Sequence, residues 1–338
     1  MTPKPINFKS NRDIRRYRYF NYRKNYSKKY INAMNDFLNF SVFNRWRELL
    51  EENNYNKMER PFKVPGIVIM YLAKLRELYN LPFRLLETEL HNLSKIFKFP
   101  EISFTSIYRR IRKIIPEIDN DNNNVLSAID SSGFKITLRG DYLENKWHRK
   151  RRGWVKLHAV ININNFEIMD YSITNEHNND AKEGIKIIKR IKNKINKLYG
   201  DKGYDSKAIY NELKNKAIIP PRKNAITLSR GSIYRSKIAR FIKRFGESLW
   251  KINNNYGLRW NVEVYFSGIK RLFGEIIRAV KPENIVQEMM LKVYFYNEFN
   301  KLKEGYQLCN SYEKPILNNL LCLRGILNLL NRPAHCHC

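Results

Sequence analysis

The sequence predicts an α/β fold behind a helical N-terminal region, and three observations carry that prediction. Between residues 61 and 118 the apolar positions recur at helical spacing. From Val125 onward, short β-branched runs alternate with amphipathic stretches. Their order is strand, strand, strand, helix, strand, helix, strand, helix. Between the two regimes, Asp119-Asn-Asp-Asn-Asn-Asn124 reads as a polar linker. At 338 residues the chain is long enough for two domains.

The first 60 residues form a basic arm. Its opening 30 hold ten Lys and Arg against Asp13, interleaved with Tyr17, Tyr19, Phe20, Tyr22, Tyr26 and Tyr30. Cations that track phosphates, mixed with rings that stack on bases, suit a nucleic acid. A basic tail with no geometry of its own is the rival reading. Pro61 and Pro65 then punctuate the chain before a helix over Ile67–Leu78. Helices follow at Leu81–Leu90 and Phe104–Ile115, the second capped by Ser103 or Thr105. Arg109, Arg110, Arg112 and Lys113 surround the Ile stripe of that second helix. Two short helices with a basic second member fit a helix-turn-helix reader of the major groove, against a small bundle with a solvated basic face.

Past the linker, Val125–Asp130 reads as a short buried strand ending in an acid. Trp154–Ile163 and Phe166–Thr174 read as two more, joined by a tight turn at Asn164-Asn165. The intervening Lys146–Arg152, with Trp147, Arg149 and Arg151, reads as an exposed basic loop. A helix over Ala181–Lys197 leads to a strand over Lys197–Asp201, again ending in an acid. A helix over Ser206–Lys216, a strand over Ala217–Ile219 and a basic helix over Tyr234–Trp250 come next. Helices over 283–303 and 314–330 finish the chain.

The densest chemical signal lies just before those last helices. Tyr256, Arg259, Glu263 and Lys270 are offset by three, seven and fourteen residues. On one continuous helix that spacing puts all four within roughly 60° of each other. The carboxylate suits a hard divalent cation, and Arg and Lys beside it suit phosphate. A solvated ion-pair ladder is the bland rival. If the strands carrying Asp130 and Asp201 run parallel and adjacent, both acids emerge at one sheet edge. Glu263 on a crossing helix then completes an all-oxygen set suited to Mg²⁺ or Mn²⁺. Two such ions can clamp the attacking and leaving oxygens of a phosphodiester displacement.

Composition agrees with a polyanion partner. The net charge is +31, from 63 Lys and Arg against 32 Asp and Glu. No run approaches the roughly 18 apolar residues of a membrane span, so a cytoplasmic, nucleoid-associated protein is expected. Cys309, Cys322, Cys336 and Cys338 make no disulfide framework, and His335-Cys-His-Cys338 fits no closed zinc pattern. His158 is expected in a core or at a strand edge, and Trp260 in the core. Trp147 is the better candidate for contact with DNA. A Gly-rich phosphate loop is lacking, which leaves a nucleotide-driven motor unsupported.

The spacing Tyr-x2-Arg-x3-Glu-x6-Lys at Tyr256, Arg259, Glu263 and Lys270 resembles the signature of the DDE transposases of insertion sequences, in the group holding families four and five. Ala128-Ile-Asp-Ser-Ser132 and Gly200-Asp-Lys-Gly-Tyr-Asp205 resemble the segments around that family's first two catalytic acids. Asn80–Glu87 and the helix after Phe104 are similar to family five as well. The resemblance covers roughly residues 60–300. It implies a ribonuclease H-like catalytic domain, a mixed sheet flanked by helices, over residues 125–303. It implies Asp130, Asp201 and Glu263 as catalytic metal ligands, with Mg²⁺ or Mn²⁺ as a pair of ions. Tyr256, Arg259 and Lys270 would position the DNA backbone, together with Lys202. Double-stranded DNA, as terminal inverted repeats and as target, is the implied partner, bound by a homodimer through the helices of 61–118. The implied activity is cleavage of element ends and joining of 3′-hydroxyls to target DNA. A nuclease that cuts without joining, a domesticated DNA-binding protein and a basic RNA-binding protein are the rivals. Only about 60 residues separate Asp201 from Glu263, so the β-rich insertion of some relatives is absent or reduced. Residues 304–338 form a C-terminal helix and tail with no family motif.

Overall fold

The computed structural model describes residues 28–118, 123–136, 153–229 and 231–311. Contacts divide the described residues into two compact units, residues 40–298 and residues 28–39 with 299–311. Within the second unit, residues 28–37 form helix α1. There Phe299 meets Tyr30 and Phe37 edge-on, with ring centroids 5.2 and 5.9 Å apart. The expected helix over 314–330, the His335–Cys338 tail and most of the arm lie outside the described residues.

The larger unit begins with helices α2 (Trp46–Asn54), α3 (Gly66–Tyr79), α4 (Phe83–Phe97) and α5 (Phe104–Arg112). Pro65 and Pro82 immediately precede α3 and α4, where a missing N–H costs nothing. Asn80 and Lys98 close the same helices in the left-handed conformation. Val68, Ile69 and Leu72 of α3, Leu86 and Leu90 of α4, and Ile107 of α5 are buried together with Phe43. Each such side chain contributes roughly 1.5–3 kcal/mol of transfer free energy.

A six-stranded mixed sheet follows. Its strands are β1 (Val125–Ile136), β2 (Trp154–Asn162), β3 (Ile168–Asn175), β4 (Ile195–Gly200), β5 (Ala217–Ile218) and β6 (Ile276–Ile277). The spatial order is β3-β2-β1-β4-β5, with β6 pairing on β1. β2 runs antiparallel to β1 and β3, whereas β4 and β6 run parallel to β1, and β5 parallel to β4. Helices α6 (Asp180–Ile191) and α7 (Lys207–Leu213) contribute Ile187, Ile188, Ile191, Ile209 and Leu213 to one core with Val125, Ile129, Ile195 and Leu198 of the sheet. Helix α10 (Trp260–Phe273) packs against β1. Gly268 of α10 lies so close to the Tyr296 hydroxyl of α11 (Pro282–Ser311) that no Cβ fits between them. The architecture fits a ribonuclease H-like domain. Among the described residues no helix is long and apolar enough to cross a membrane.

Several elements depart from expectation. β1 does not stop at Asp130 but continues six residues to Ile136, because β2 pairs with it as far as Lys135. The helix expected over Ala181–Lys197 ends at Ile191, and Ile195 opens β4 instead. Its β-branched side chain belongs as well to a buried strand as to a helix stripe, and pairing with β1 decides the matter. The basic helix breaks at Gly246, whose φ of +88° only glycine adopts freely. It yields α8 (Ile233–Phe245) and α9 (Glu247–Asn253).

The larger unit also buries charge. Lys292 of α11 is fully buried and donates from Nζ to the carbonyls of Phe273 and Ile276, each at 3.1 Å. Glu77 lies 3.9 Å and Glu288 3.7 Å from the same nitrogen. Burial, then the nearby Glu288, pushes the Glu77 carboxyl up to about 8. The folded chain thus holds a proton that the unfolded chain releases near pH 4.5. Stability from this group is full below that value and is lost as pH rises through about 8. Glu77→Gln is expected to flatten the decline of urea stability between pH 5 and 8. A parent-like decline in the variant would refute the assignment.

Candidate active site

Register places the first two acids. β1 and β4 are parallel neighbours in which Ile129 pairs with Gly200. The next residue on each strand is an acid, Asp130 and Asp201. β4 ends there, and β6 takes up the same edge of β1 only at Lys135. Among the described residues Asp130–Phe134 therefore has β2 on one side and no strand on the other. Such a gap after the carboxyl end of a parallel strand is where open α/β sheets receive ligands.

Alternation assigns the two faces of β1 at this gap. Ser131 points to the α6 side, where its Oγ donates to Asp180 at 2.9 Å. Asp180 also receives Lys156 at 2.6 Å and lies 3.4 Å from Nδ1 of the fully buried His158. Asp130 points to the opposite face, toward the segment leading into α10. Its Oδ1 accepts from the Ser131 amide at 2.8 Å. Burial, and after it the charges of Asp201 and Glu263, raise its carboxyl to about 6, against the pull of Ser131 and Arg259. Asp130 thus lies within electrostatic reach of both other acids.

The four-residue signature is assembled differently from the expected single stripe. Asn255, in the left-handed conformation, starts a 3-10 turn over Tyr256–Arg259, and only then does α10 begin at Trp260. The tighter turn rotates Tyr256 away from the line through Glu263. The Tyr256 hydroxyl instead donates to the Gly200 carbonyl at 3.0 Å, bracing the end of β4 beside Asp201. Burial pushes that phenol up to about 12. Arg259 lies between two acids. One Nη is 3.8 Å from Asp130, and the other donates to Glu263 in a close ion pair. Lys270, three turns along α10, sits 5.2 Å from the ring centre of Phe134 at the far end of the gap. Glu263 occupies the first turn of α10.

Asp201 caps a 3-10 turn by accepting from the Gly203 amide at 2.8 Å. Lys202 pairs with Glu247 of α9 at 2.8 Å. Asp205, whose side chain is 1% exposed, takes a two-pronged fork from Arg235 of α8 at 2.6 and 2.7 Å. Asp180, Asp205, Arg235 and Glu247 are positioning partners that sequence reading passed over. Their only signal is acid-rich capping segments, which any turn also shows.

The remaining candidates disperse. Arg109, Arg112 and Lys113 are exposed at the end of α5, with Arg112 3.8 Å from Glu283. Arg110 turns inward, donating to the Val64 carbonyl, with its guanidinium 4.4 Å from the Phe62 ring centre. Trp147, Arg149 and Arg151 lie outside the described residues. Trp260 is 62% exposed rather than core, whereas Trp250 is buried against Tyr256. At the very start of α10, Trp260 precedes the buried stripe of Val262, Tyr265, Phe266 and Ile269, so the helix period turns it outward.

The donor set is all oxygen, and a buried carboxylate with two further acids near it is what a hard cation stabilises. Among the described residues no three His, Cys, Asp or Glu groups yet converge enough to hold an ion. The guanidinium of Arg259 stands between Asp130 and Glu263, and ligation requires it to yield. The sequence model of one protein family, described as the transposase DDE domain, matches residues 122–297.

Proposed function

The chain belongs to the transposase DDE-domain family, and from that premise we propose that it is a DNA transposase of an insertion sequence, of the type of families four and five. DNA is the partner the family implies, and a divalent metal its general cofactor. In this reading the protein binds terminal inverted repeats as a homodimer, cuts the element ends and joins their 3′-hydroxyls to target DNA.

The observation that carries the reading is the gap at Asp130–Phe134, flanked by Asp201 and faced by Arg259 and Glu263. Asp130, Asp201 and Glu263 are assigned as holders of two Mg²⁺ or Mn²⁺ ions. When bound, these would activate the attacking oxygen and neutralise charge at phosphorus. Arg259 is assigned to the scissile phosphate, which its fork geometry matches once it leaves the carboxylates. Tyr256 fixes the main chain that presents Asp201. Lys270, Lys202, Arg109, Arg112 and Lys113 are assigned to flanking phosphates; Arg110 braces α5. Residues 61–118 are assigned to repeat recognition.

Supplying a pre-cut end with a free 3′-hydroxyl, a supercoiled plasmid and Mg²⁺ tests the assignment. Plasmid-joined product is expected. Cutting of uncleaved ends without any joining would reduce the protein to a nuclease.

A further inference from the structure

Helices α8 and α9 fill the interval between β5 and the Tyr256 turn, and the assigned active centre makes no use of their outer faces. α8 reads Ile-Tyr-Arg-Ser-Lys-Ile-Ala-Arg-Phe-Ile-Lys-Arg-Phe and has no acid. Tyr234 and Ile238 pack on the sheet core and Ala239 is buried. Lys237, Arg240 and Arg244 are exposed on the other side. Offsets of three and seven residues hold them within roughly 60°. Among the described residues none of the three meets a carboxylate within 4.0 Å. Arg240 makes only long bonds back to Ser236, at 3.4 Å.

Three cations in line repel one another modestly, and a polyanion laid along them relieves that cost. α8 and α9 are also tied to the segment that follows Asp201. Arg235 in the first turn of α8 forks onto Asp205, and Glu247 at the start of α9 takes Lys202. Trp250 of α9 packs on Tyr256, which holds Gly200. These ties fix α8, and with it the stripe, against the loop that follows Asp201.

We propose that Lys237, Arg240 and Arg244 form a separate backbone-binding rail on which duplex DNA lies as it enters the active centre. The inference rests on the reading of the chain as a DNA enzyme. The stripe spans about 10 Å of helix axis. That length matches about three phosphates of one strand at 3.4 Å of axial rise each. Cations that engage phosphates alone make the contact independent of sequence. Phe245, Leu249 and Ile252 are exposed nearby, so an anionic membrane is the competing occupant.

The test compares K237Q/R240Q/R244Q with the parent and with K182Q/K189Q/K197Q, which removes three exposed cations from α6 and β4. Fluorescence anisotropy with a duplex of about 30 base pairs is read across a salt series. The rail variant is expected to show a log K against log salt slope shallower by roughly 2–3, on any duplex sequence. The control is expected to keep the parent slope. An equal slope in the rail variant, or an equal loss in the control, overturns the proposal. A loss confined to single-stranded RNA or to anionic vesicles overturns it too. A parent that binds duplex with no salt dependence defeats the underlying DNA-enzyme reading as well. Thermal melting of all three proteins excludes unfolding as the cause.

Discussion

Asp130→Asn is expected to lower DNA cutting by at least about 10³-fold, equivalent to about 4 kcal/mol of barrier, while duplex binding stays near that of the parent. The amide keeps the size of the side chain and loses the charge that a divalent ion requires. A second effect of opposite sign accompanies it. Burial raises the Asp130 carboxyl from 3.8 to about 6, so holding it ionised costs folding energy above that pH. Stability from this group is full below pH 3.8 and is lost as pH rises through about 6. In chelator at pH 8 the variant is expected to be more stable than the parent by on the order of 1–3 kcal/mol. Losing activity while gaining stability separates a ligand from a packing residue, since a packing residue loses both. Undiminished cutting by the purified variant would remove Asp130 from the chemistry.

Lys292→Ala carries the largest expected cost in stability. The substitution strands Glu288 without its buried counter-charge, takes a donor from beside the protonated Glu77 and leaves the carbonyls of Phe273 and Ile276 unserved. Breaking a buried pair from one side costs about 3–5 kcal/mol. For a unit of this size that corresponds to a melting point lower by on the order of 10 °C. The two carbonyls flank the turn that leads into β6, so the change also loosens the strand that ends the gap in the sheet. Lys292→Ala combined with Glu77→Gln and Glu288→Gln is expected to recover part of the loss, because neutral amides cost less to bury. A single variant within about 1 kcal/mol of the parent in urea denaturation would show that the charge is solvated.

How much of this was legible beforehand depends on the range of each interaction. The strand–helix order from Val125 onward, the buried His158 and the turn after the second strand follow from local patterning of apolar and turn residues. So did the adjacency of Asp130 and Asp201, granted parallel strands, since both acids follow short buried runs. Other features obey interactions that no window of sequence contains. Ile195 joined a strand because β1 offered it a partner, and β1 outran Asp130 because β2 kept pairing. Trp260 is exposed because packing of α10 on β1 buries the stripe of Val262, Tyr265, Phe266 and Ile269, which leaves it on the outer side.

Sequence by itself determined the net charge of +31, the spacing of Tyr256, Arg259, Glu263 and Lys270, and the residue types available to the site. Tertiary structure alone decided that, among the described residues, β1 goes without a parallel neighbour between the end of β4 and the start of β6. It alone placed Arg259 between Asp130 and Glu263, and tied the rail on α8 to the loop of Asp201. The physical reason is that side-chain chemistry and periodicity are written residue by residue. Pairing register and ion-pair partners are instead settled between segments tens of residues apart, when the sheet closes.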